Sequence, residues 1–187
     1  MPSPLLFTPI TIGPLTLPNR IMVSPMCQYS AQDGVANAWH TAHLGSLALS
    51  GAGLLCIEAT AVSPEGRITP GCLGLYSEEN TQALKQLVAT LRSASNIKLM
   101  AQIAHAGRKG SSAAPWNGGA LLSASEGGWE TIAPSALPHK PEETPPRAMT
   151  KADIERVTND FVTAAKRAKA IGFDAIELHA AHGYLLH

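Results

Sequence analysis

Four short apolar runs alternate along the chain with segments of helical periodicity, and this alternation limits the possible folds more than any other feature. The runs cover residues 20–23, 54–57, 98–103 and 173–178. Each is too short for a buried helix and is bounded by Gly, Pro or polar residues, which is typical of a buried strand. Strands that alternate with helices form parallel sheets through right-handed crossovers. The pattern therefore predicts an α/β fold.

The segments between these runs carry apolar residues at helical spacing, over residues 39–50, 78–93 and 151–171. Ser77, followed by acidic residues, and Thr150 are predicted N-caps of the second and third helices. Gly172 is expected to end the third helix. His40 and His43 lie one turn apart in the first helix, where a capping or packing role is expected rather than chemistry.

Two further segments complete the predicted organisation of a single domain over residues 1–187. Residues 9–17 alternate apolar and polar side chains around a Gly-Pro pair, which predicts an N-terminal β-hairpin that acts as a lid or plug. Residues 106–149 are rich in Gly, Ser and Pro, but they also hold Trp116 and Trp129, which argues against plain disorder. A long segment of this kind is expected to be an active-site excursion.

Two architectures fit the order of elements, a doubly wound open sheet and a (β/α) barrel. A dinucleotide-binding sheet carries Gly-x-Gly-x-x-Gly after its first strand, whereas here that turn reads Ser-Pro-Met-Cys at residues 24–27. The barrel is therefore favoured. A TIM barrel has eight units and typically about 250 residues. The chain supplies four units, so we expect the N-terminal half of a (β/α)8 TIM barrel, cut short where a fourth helix would begin.

Three hydrogen-bonding side chains follow the last apolar run: His179, His182 and Tyr184. Ligands bind at the carboxyl ends of the strands in such sheets, so these residues form the candidate site. Taken alone, such histidines are more often packed loop or core residues than a site, and the tyrosine could simply anchor a helix start. A metal site is another alternative, because His-x-x-His can place two imidazoles near one ion. It would need a third ligand from elsewhere.

Composition narrows the functional classes. The formal net charge is zero, which gives no indication of a basic face for nucleic acid or for an anionic membrane. No segment is apolar over the roughly 20 residues that a membrane span needs. The three cysteines lack metal-ligand spacing, and their odd number fits a reducing cytoplasm better than a disulfide framework. A cytoplasmic protein without nucleic-acid or membrane partners is expected.

At the predicted strand ends, the residues resemble the old yellow enzyme family of flavoproteins, specifically the bacterial NADPH dehydrogenases and xenobiotic ene-reductases. The resemblance covers the whole chain and rests on a series of motifs in order. They are Leu-Phe-Thr-Pro-Ile at 6–10, Asn-Arg-Ile at 19–21, Ser-Pro-Met-Cys-Gln-Tyr at 24–29, Glu-Ala at 58–59, Gly-Arg-Ile at 66–68, Gln102 with His-Ala-Gly-Arg-Lys at 105–109, and His-Ala-Ala-His-Gly-Tyr at 179–184. Each motif is weak alone, but the ordered set is specific.

This resemblance implies FMN across the carboxyl mouth of the barrel, NADPH as hydride donor, and an enone or related small molecule as acceptor. The implied flavin contacts are Ser24, Pro25, Met26, Cys27, Ala59 and Gln102. An amide such as Gln102 suits the pyrimidine edge, because it donates to a carbonyl and accepts from a ring N–H. Cys27 would tune the redox potential, the alternative being a small buried hydrophobe.

The same resemblance implies roles for the last motif. His179 and His182 would bind the substrate carbonyl as an oxyanion hole, and Tyr184 would protonate the α-carbon as a general acid. Tyr29 would flank the substrate. Two other functions stay open: a metal-dependent TIM-barrel lyase or hydrolase that uses the two histidines as ligands, and a non-catalytic barrel fragment that acts only in assembly.

Part of the implied cofactor site falls outside residues 1–187. In the family, loops after the seventh and eighth strands hold the FMN phosphate, and an arginine on a later strand meets the flavin. We therefore expect the isolated chain to bind FMN poorly. Its first and fourth strands are expected to be unpaired edges, which favours a homo-oligomer or pairing with a C-terminal half.

Overall fold

The computed structural model describes residues 4–187, and its centre is a four-stranded parallel sheet whose strands lie in the order β3 (Met22–Val23), β4 (Leu54–Ala61), β5 (Lys98–Ala104) and β8 (Ala175–Leu178). The predicted alternation of strands and helices is confirmed. In chain order the elements are β1 (Ile10–Ile12), β2 (Leu15–Leu17), β3 (Met22–Val23), α1 (Ala38–Ala48), β4 (Leu54–Ala61), α2 (Glu78–Ala94), β5 (Lys98–Ala104), β6 (Ile132–Ala133), β7 (Arg147–Ala148), α3 (Lys151–Ile171) and β8 (Ala175–Leu178).

All three α-helices of the described residues lie on one side of this sheet. Successive strand residues point to opposite faces, so each strand contributes to two different environments. Leu55 and Leu99 pack in the main core with apolar side chains of α1, α2 and α3. Leu54 and Met100 face the other side and pack against Leu17 of the hairpin. A doubly wound sheet has helices on both faces, so this arrangement favours the barrel.

The predicted hairpin is present as the antiparallel pair β1 and β2. Leu17 is buried against Leu54, which is the first residue of β4, and Ala175, the first residue of β8, packs partly buried in the same cluster. The hairpin therefore covers the amino ends of the strands. It plugs the end of the sheet that lies away from the candidate site.

The helix ends follow the predicted capping chemistry. Ser77 accepts a hydrogen bond of 3.1 Å from the backbone N–H of Asn80, and Thr150 forms a reciprocal capping box with Asp153. Gly172 ends α3 in a left-handed conformation, with φ at 105°. His40 has a capping role, because its Nδ1 accepts from the backbone N–H of Asn37 at 3.1 Å. The predicted caps are confirmed.

Two predicted strands differ from the structure. The second strand is longer than the apolar run at 54–57 that predicted it, because β4 continues past Glu58, through a register irregularity, to Ala61 with all eight residues buried. Glu58 does not stop the strand because its carboxylate is satisfied by a hydrogen bond from the N–H of Gln28. The prediction that the last strand is buried is wrong, since Ile176 and Leu178 are 38% and 59% exposed. Within residues 4–187, β8 has a neighbour on one edge only.

The segment 106–149 folds around short turns and the parallel pair β6 and β7. Its anchor is Trp129, whose indole N–H donates to the backbone oxygen of Glu65 at 3.0 Å. The guanidinium carbon of Arg67 lies 5.0 Å from the centroid of the same ring. These contacts tie the segment to the loop after β4.

No helix within residues 4–187 is long and apolar enough to cross a membrane.

Candidate active site

The structure brings His179, His182 and Tyr184 together just beyond the carboxyl end of β8. Their ring centroids are 5.1 Å apart for the two histidines, 4.9 Å for His179 and Tyr184, and 6.5 Å for His182 and Tyr184. His179 is buried, Tyr184 is half-buried and His182 is exposed. Each pair of rings is close to perpendicular. Two imidazoles and one phenol therefore form one cluster, with His182 on its solvent-exposed side.

A tight turn produces this arrangement. The N–H of His179 continues the ladder to β5 by donating to the oxygen of Ile103 at 3.1 Å. The chain then enters the left-handed region at His182 and Gly183, with φ at 59° and 72°. That conformation is easy for glycine but costs about 1–2 kcal/mol for other residues. The N–H of Leu185 then donates to the oxygen of His105 at 3.1 Å, so the turn is tied back to the end of β5.

Lys109 completes this turn from the loop after β5. Its ammonium donates to the backbone oxygen of His182 at 2.8 Å and lies 4.9 Å from the ring centroid of Tyr184. The sequence patterns did not predict this contact. The signal that could have found it is the position of Lys109 just after β5, because neighbouring parallel strands place their following loops side by side.

The loop after β3 reaches the same region with Cys27 and Tyr29. The Cys27 thiol lies beside the Tyr29 side chain and the backbone of Ala59. Tyr29 has a left-handed backbone, with φ at 50°, and its ring meets that of Trp116 edge-on at 5.5 Å. Residues from β4, β8, the first loop and the segment 106–149 therefore converge.

The other predicted flavin contacts lie along the same mouth. Ser24 and Met26 are exposed, Pro25 is half-buried and Ala59 is buried. Gln102 is buried on the inner face of β5, where its Nε2 donates to Glu177 Oε1 at 2.5 Å. This leaves the amide oxygen of Gln102 as an acceptor. An amide oxygen in this position can accept a hydrogen bond from a ring N–H of a flat heterocycle.

Burial sets the protonation states of these groups. It lowers the pKa of His179, and the neighbouring His182 and Lys109 lower it further against the opposing effect of Glu177. Burial raises the pKa of Tyr184 to about 12. Burial likewise raises the pKa of Cys27 to about 12. At neutral pH the site therefore presents a neutral imidazole at His179, a protonated phenol and a protonated thiol.

In the part of the chain that the structure describes, no group of three or more His, Cys, Asp or Glu side chains is placed to hold a metal ion. Cys27, Cys56 and Cys72 are free thiols.

A parallel sheet with helices on one side and a polar cluster at its carboxyl end defines a barrel protein with an enzyme-type site at its mouth. Comparison with known proteins identifies the family. The chain belongs to the NADH:flavin oxidoreductase / NADH oxidase family, whose model matches residues 5–187. This confirms the resemblance to flavin-dependent oxidoreductases.

Curated relatives share this assignment. An NADH:flavin oxidoreductase of Gibberella zeae is 50% identical over 185 residues, which cover 97% of this chain and 45% of that protein. An NADPH dehydrogenase of Geobacillus sp. strain WCH70 is 44% identical over 184 residues, which cover 97% of this chain and 49% of that protein. The chain thus spans about half the length of the curated relatives it matches.

Solved structures confirm the fold. Morphinone reductase superposes with a TM-score of 0.82 at 29% identity, covering 97% of this chain and 49% of that one. The old yellow enzyme from Pichia sp. AKU4542 gives a TM-score of 0.82 at 29% identity, covering 97% of this chain and 47% of that one. The fold is therefore the N-terminal half of a (β/α)8 TIM barrel.

Proposed function

We propose that the chain forms the catalytic half-barrel of an FMN-dependent oxidoreductase that moves hydride from NADPH to the activated C=C bond of α,β-unsaturated carbonyl compounds. The observation that carries this proposal is the cluster of His179, His182 and Tyr184 at the mouth of the half-barrel. Family membership and the NADPH dehydrogenases among the relatives support the cofactor pair.

The residues present fit an isoalloxazine ring. We assign the ring contacts to the mouth residues Ser24, Pro25, Met26, Cys27, Ala59 and Gln102. The Gln102 Nε2 donates to Glu177, which fixes the orientation of the amide. Its oxygen is then available to accept a hydrogen bond from a ring N–H. The Cys27 thiol beside Ala59 would lie against the ring as a protonated, weakly polar group. When bound, FMN supplies the hydride-transfer chemistry between NADPH and the alkene.

His179 and His182 would hold the substrate carbonyl. Their ring centroids lie 5.1 Å apart, so both imidazoles are close enough to contact one carbonyl group of a bound substrate. Negative charge grows on the carbonyl oxygen as the β-carbon accepts hydride, and preorganised donors lower the energy of this state. Substrate would thus be oriented by its carbonyl and activated by the same contact.

Tyr184 would deliver the proton to the α-carbon. Its phenol stays protonated through neutral pH, since burial raises its pKa to about 12. A positioned donor of this kind contributes typically 10²–10⁴-fold to the rate. Tyr29 would form the opposite wall, and Trp116, whose ring meets Tyr29 at 5.5 Å, would bring the segment 106–149 into the site as the active-site excursion.

The test is reconstitution. The purified chain is mixed with the part of the Geobacillus NADPH dehydrogenase that it does not match, and FMN and NADPH are added. We expect a yellow complex that reduces cyclohexenone and tolerates chelator. A colourless complex whose activity is lost to chelator would contradict the flavin proposal. The chain without that partner is expected to bind FMN weakly, and stoichiometric flavin absorption by the chain alone would overturn this expectation.

Assembly and location are proposals as well. We propose that the β3 and β8 edges pair with further strands, from a second copy or from a C-terminal half. β8 is the last strand of the described sheet, and its apolar Leu178 is 59% exposed, which supports further chain packing beside this strand in the working protein. Sedimentation of the chain and of a Leu178→Lys variant tests this, since the variant is expected to self-associate less.

The free thiols support a cytoplasmic location. The continuous core shared by β4, β5 and the three helices supports a single domain over residues 1–187.

A further inference from the structure

A buried carboxylate on β4 hydrogen-bonds the backbone of the loop between β3 and α1. Glu58 lies in the middle of β4 with only 3% of its surface exposed. Its Oε2 accepts the backbone N–H of Gln28 at 3.1 Å. Gln28 is flanked by Cys27 and Tyr29, the two loop residues that reach the candidate site. One hydrogen bond therefore joins the inner strand to the backbone between them.

The second carboxylate oxygen faces His40. His40 is completely buried on α1, and its Nε2 lies 3.5 Å from Glu58 Oε1. Its Nδ1 accepts the backbone N–H of Asn37 at 3.1 Å and also lies 3.1 Å from the side-chain Oδ1 of Asn37. Nε2 makes no hydrogen bond, so the Glu58 carboxylate is the polar group that it faces. His40 is thereby held by the hydrogen bond at Nδ1, with its Nε2 directed towards the Glu58 carboxylate.

The start of α1 holds the same loop at two further points. The Asn37 side chain donates to the oxygen of Ser30 at 2.6 Å, and the Trp39 indole donates to Gln28 Oε1 at 3.2 Å. The backbone of Tyr29 is left-handed, with φ at 50°, a conformation that persists only where its surroundings impose it. The contacts on both sides of Tyr29 provide that restraint.

None of the proposed chemistry uses Glu58 or His40. A carboxylate removed from water is costly unless its interactions offset the loss of hydration. The capping role of His40 does not by itself explain the burial of Glu58, because both hydrogen bonds of the cap form without the carboxylate: Asn37 N–H donates to His40 Nδ1 at 3.1 Å and Trp39 N–H donates to Asn37 Oδ1 at 3.0 Å. The interaction that is specific to Glu58 is the hydrogen bond that its carboxylate accepts from the Gln28 N–H.

We propose that Glu58 and His40 are positioning residues that clamp Gln28 to β4 and so hold Cys27 and Tyr29 at the mouth of the half-barrel. This inference rests on the proposed function for its meaning. The clamp itself is a property of the chain and is tested without flavin. Removal of the clamp should release the loop locally while the core of the half-barrel stays folded.

The experiment compares Glu58→Ala with Glu58→Gln by thiol labelling of the full chain, with modified cysteines assigned by mass spectrometry. Cys27 should react about tenfold faster or more in Glu58→Ala, since losing a hydrogen bond to a charged acceptor opens the loop. Glu58→Gln should react at close to the parent rate, because its amide oxygen still accepts the Gln28 N–H. Cys56, 1% exposed and packed under the hairpin, is the internal control and should stay protected.

Three results would overturn the clamp. They are an unchanged Cys27 rate in Glu58→Ala, equal acceleration of Cys27 and Cys56, and no rescue by Glu58→Gln. If Glu58→Ala does not fold, amide exchange of the parent chain decides the matter, because a clamped Gln28 N–H must be protected and a freely exchanging one refutes the proposal. These readouts need no cofactor, so a failed clamp and a failed flavoenzyme are distinguishable.

Discussion

The ammonium of Lys109 donates a hydrogen bond of 2.8 Å to the backbone oxygen of His182. His182 has a left-handed backbone, with φ at 59°, so a side chain from the loop after β5 stabilises the strained turn after β8. The same ammonium lies 4.9 Å from the centroid of the Tyr184 ring. Lys109 therefore holds a cation next to both the imidazole pair and the phenol.

Replacing Lys109 by methionine should raise the pKa of His179. After burial and the neighbouring His182, the positive charge of Lys109 is a further cause that lowers this pKa, and methionine removes it while keeping much of the side-chain volume. The measurement is an NMR titration of the His179 ring signals. Lys109→Arg is the matched control and should leave the titration close to that of the parent. An unchanged His179 titration in Lys109→Met would contradict the expected coupling.

Tyr184→Phe should separate the two classes of acceptor in the reconstituted enzyme. Reduction of cyclohexenone should fall by about 10²-fold or more, because the alkene needs a proton at its α-carbon from a positioned donor. Reduction of a quinone should change little, because its oxygens take protons from water. Both rates are followed as NADPH oxidation, with the saturated ketone quantified. An equal loss with both acceptors would show that the phenol acts in binding and not in proton transfer.

Most of the fold could be predicted from the sequence because its helices and strands depend on interactions between residues that are close along the chain. The N-caps at Ser77 and Thr150 are fixed by residues within one turn, and the period of apolar residues depends only on neighbouring positions. The cluster of His179, His182 and Tyr184 was also accessible, since a single turn brings these residues together. Features that depend on short-range contacts are readable from a sequence.

Features that depend on contacts between distant residues were not predicted. The run at 173–178 looks like a buried strand, yet Ile176 is 38% exposed, since exposure depends on what lies beside a strand in space. Glu58 looks like a strand end because a charge seldom sits inside a strand. Its partner, the N–H of Gln28, comes from a loop thirty residues earlier in the chain. The link between Lys109 and His182 spans 73 residues and leaves no periodic signal.

Thr150→Ala should lower the free energy of unfolding by about 1 kcal/mol, the usual cost of losing an N-cap. Thr150 Oγ1 accepts from the N–H of Asp153 at 3.2 Å, and the Asp153 carboxylate accepts from the Thr150 N–H at 2.8 Å. Thr158→Ala on the same helix is the matched control, because Thr158 Oγ1 only donates to the oxygen of Ile154 within the helix. Urea unfolding measures both variants. Equal destabilisation of the two would argue that general helix propensity, and not the cap, is being measured.

His105 should make the fold sensitive to mild acid. Burial lowers its pKa to about 4 from an ordinary value of 6.5, with the cation of Arg156 adding to this and Glu65 opposing it. Its Nδ1 accepts the N–H of Gly107 at 3.0 Å, a contact that protonation of that nitrogen abolishes. Between these two pKa values the unfolded chain binds a proton that the folded chain does not.

The stabilising effect of neutral His105 is therefore complete above about pH 6.5 and is lost as the pH falls towards 4. The difference corresponds to about 3 kcal/mol of unfolding free energy as an upper value. Urea unfolding of the parent and of His105→Gln across this range measures it. The variant keeps a polar side chain but cannot take up the proton, so its stability should fall less steeply over this interval. Parallel pH profiles for the two proteins would refute the assignment, and a gap that widens from acid to neutral pH would support it.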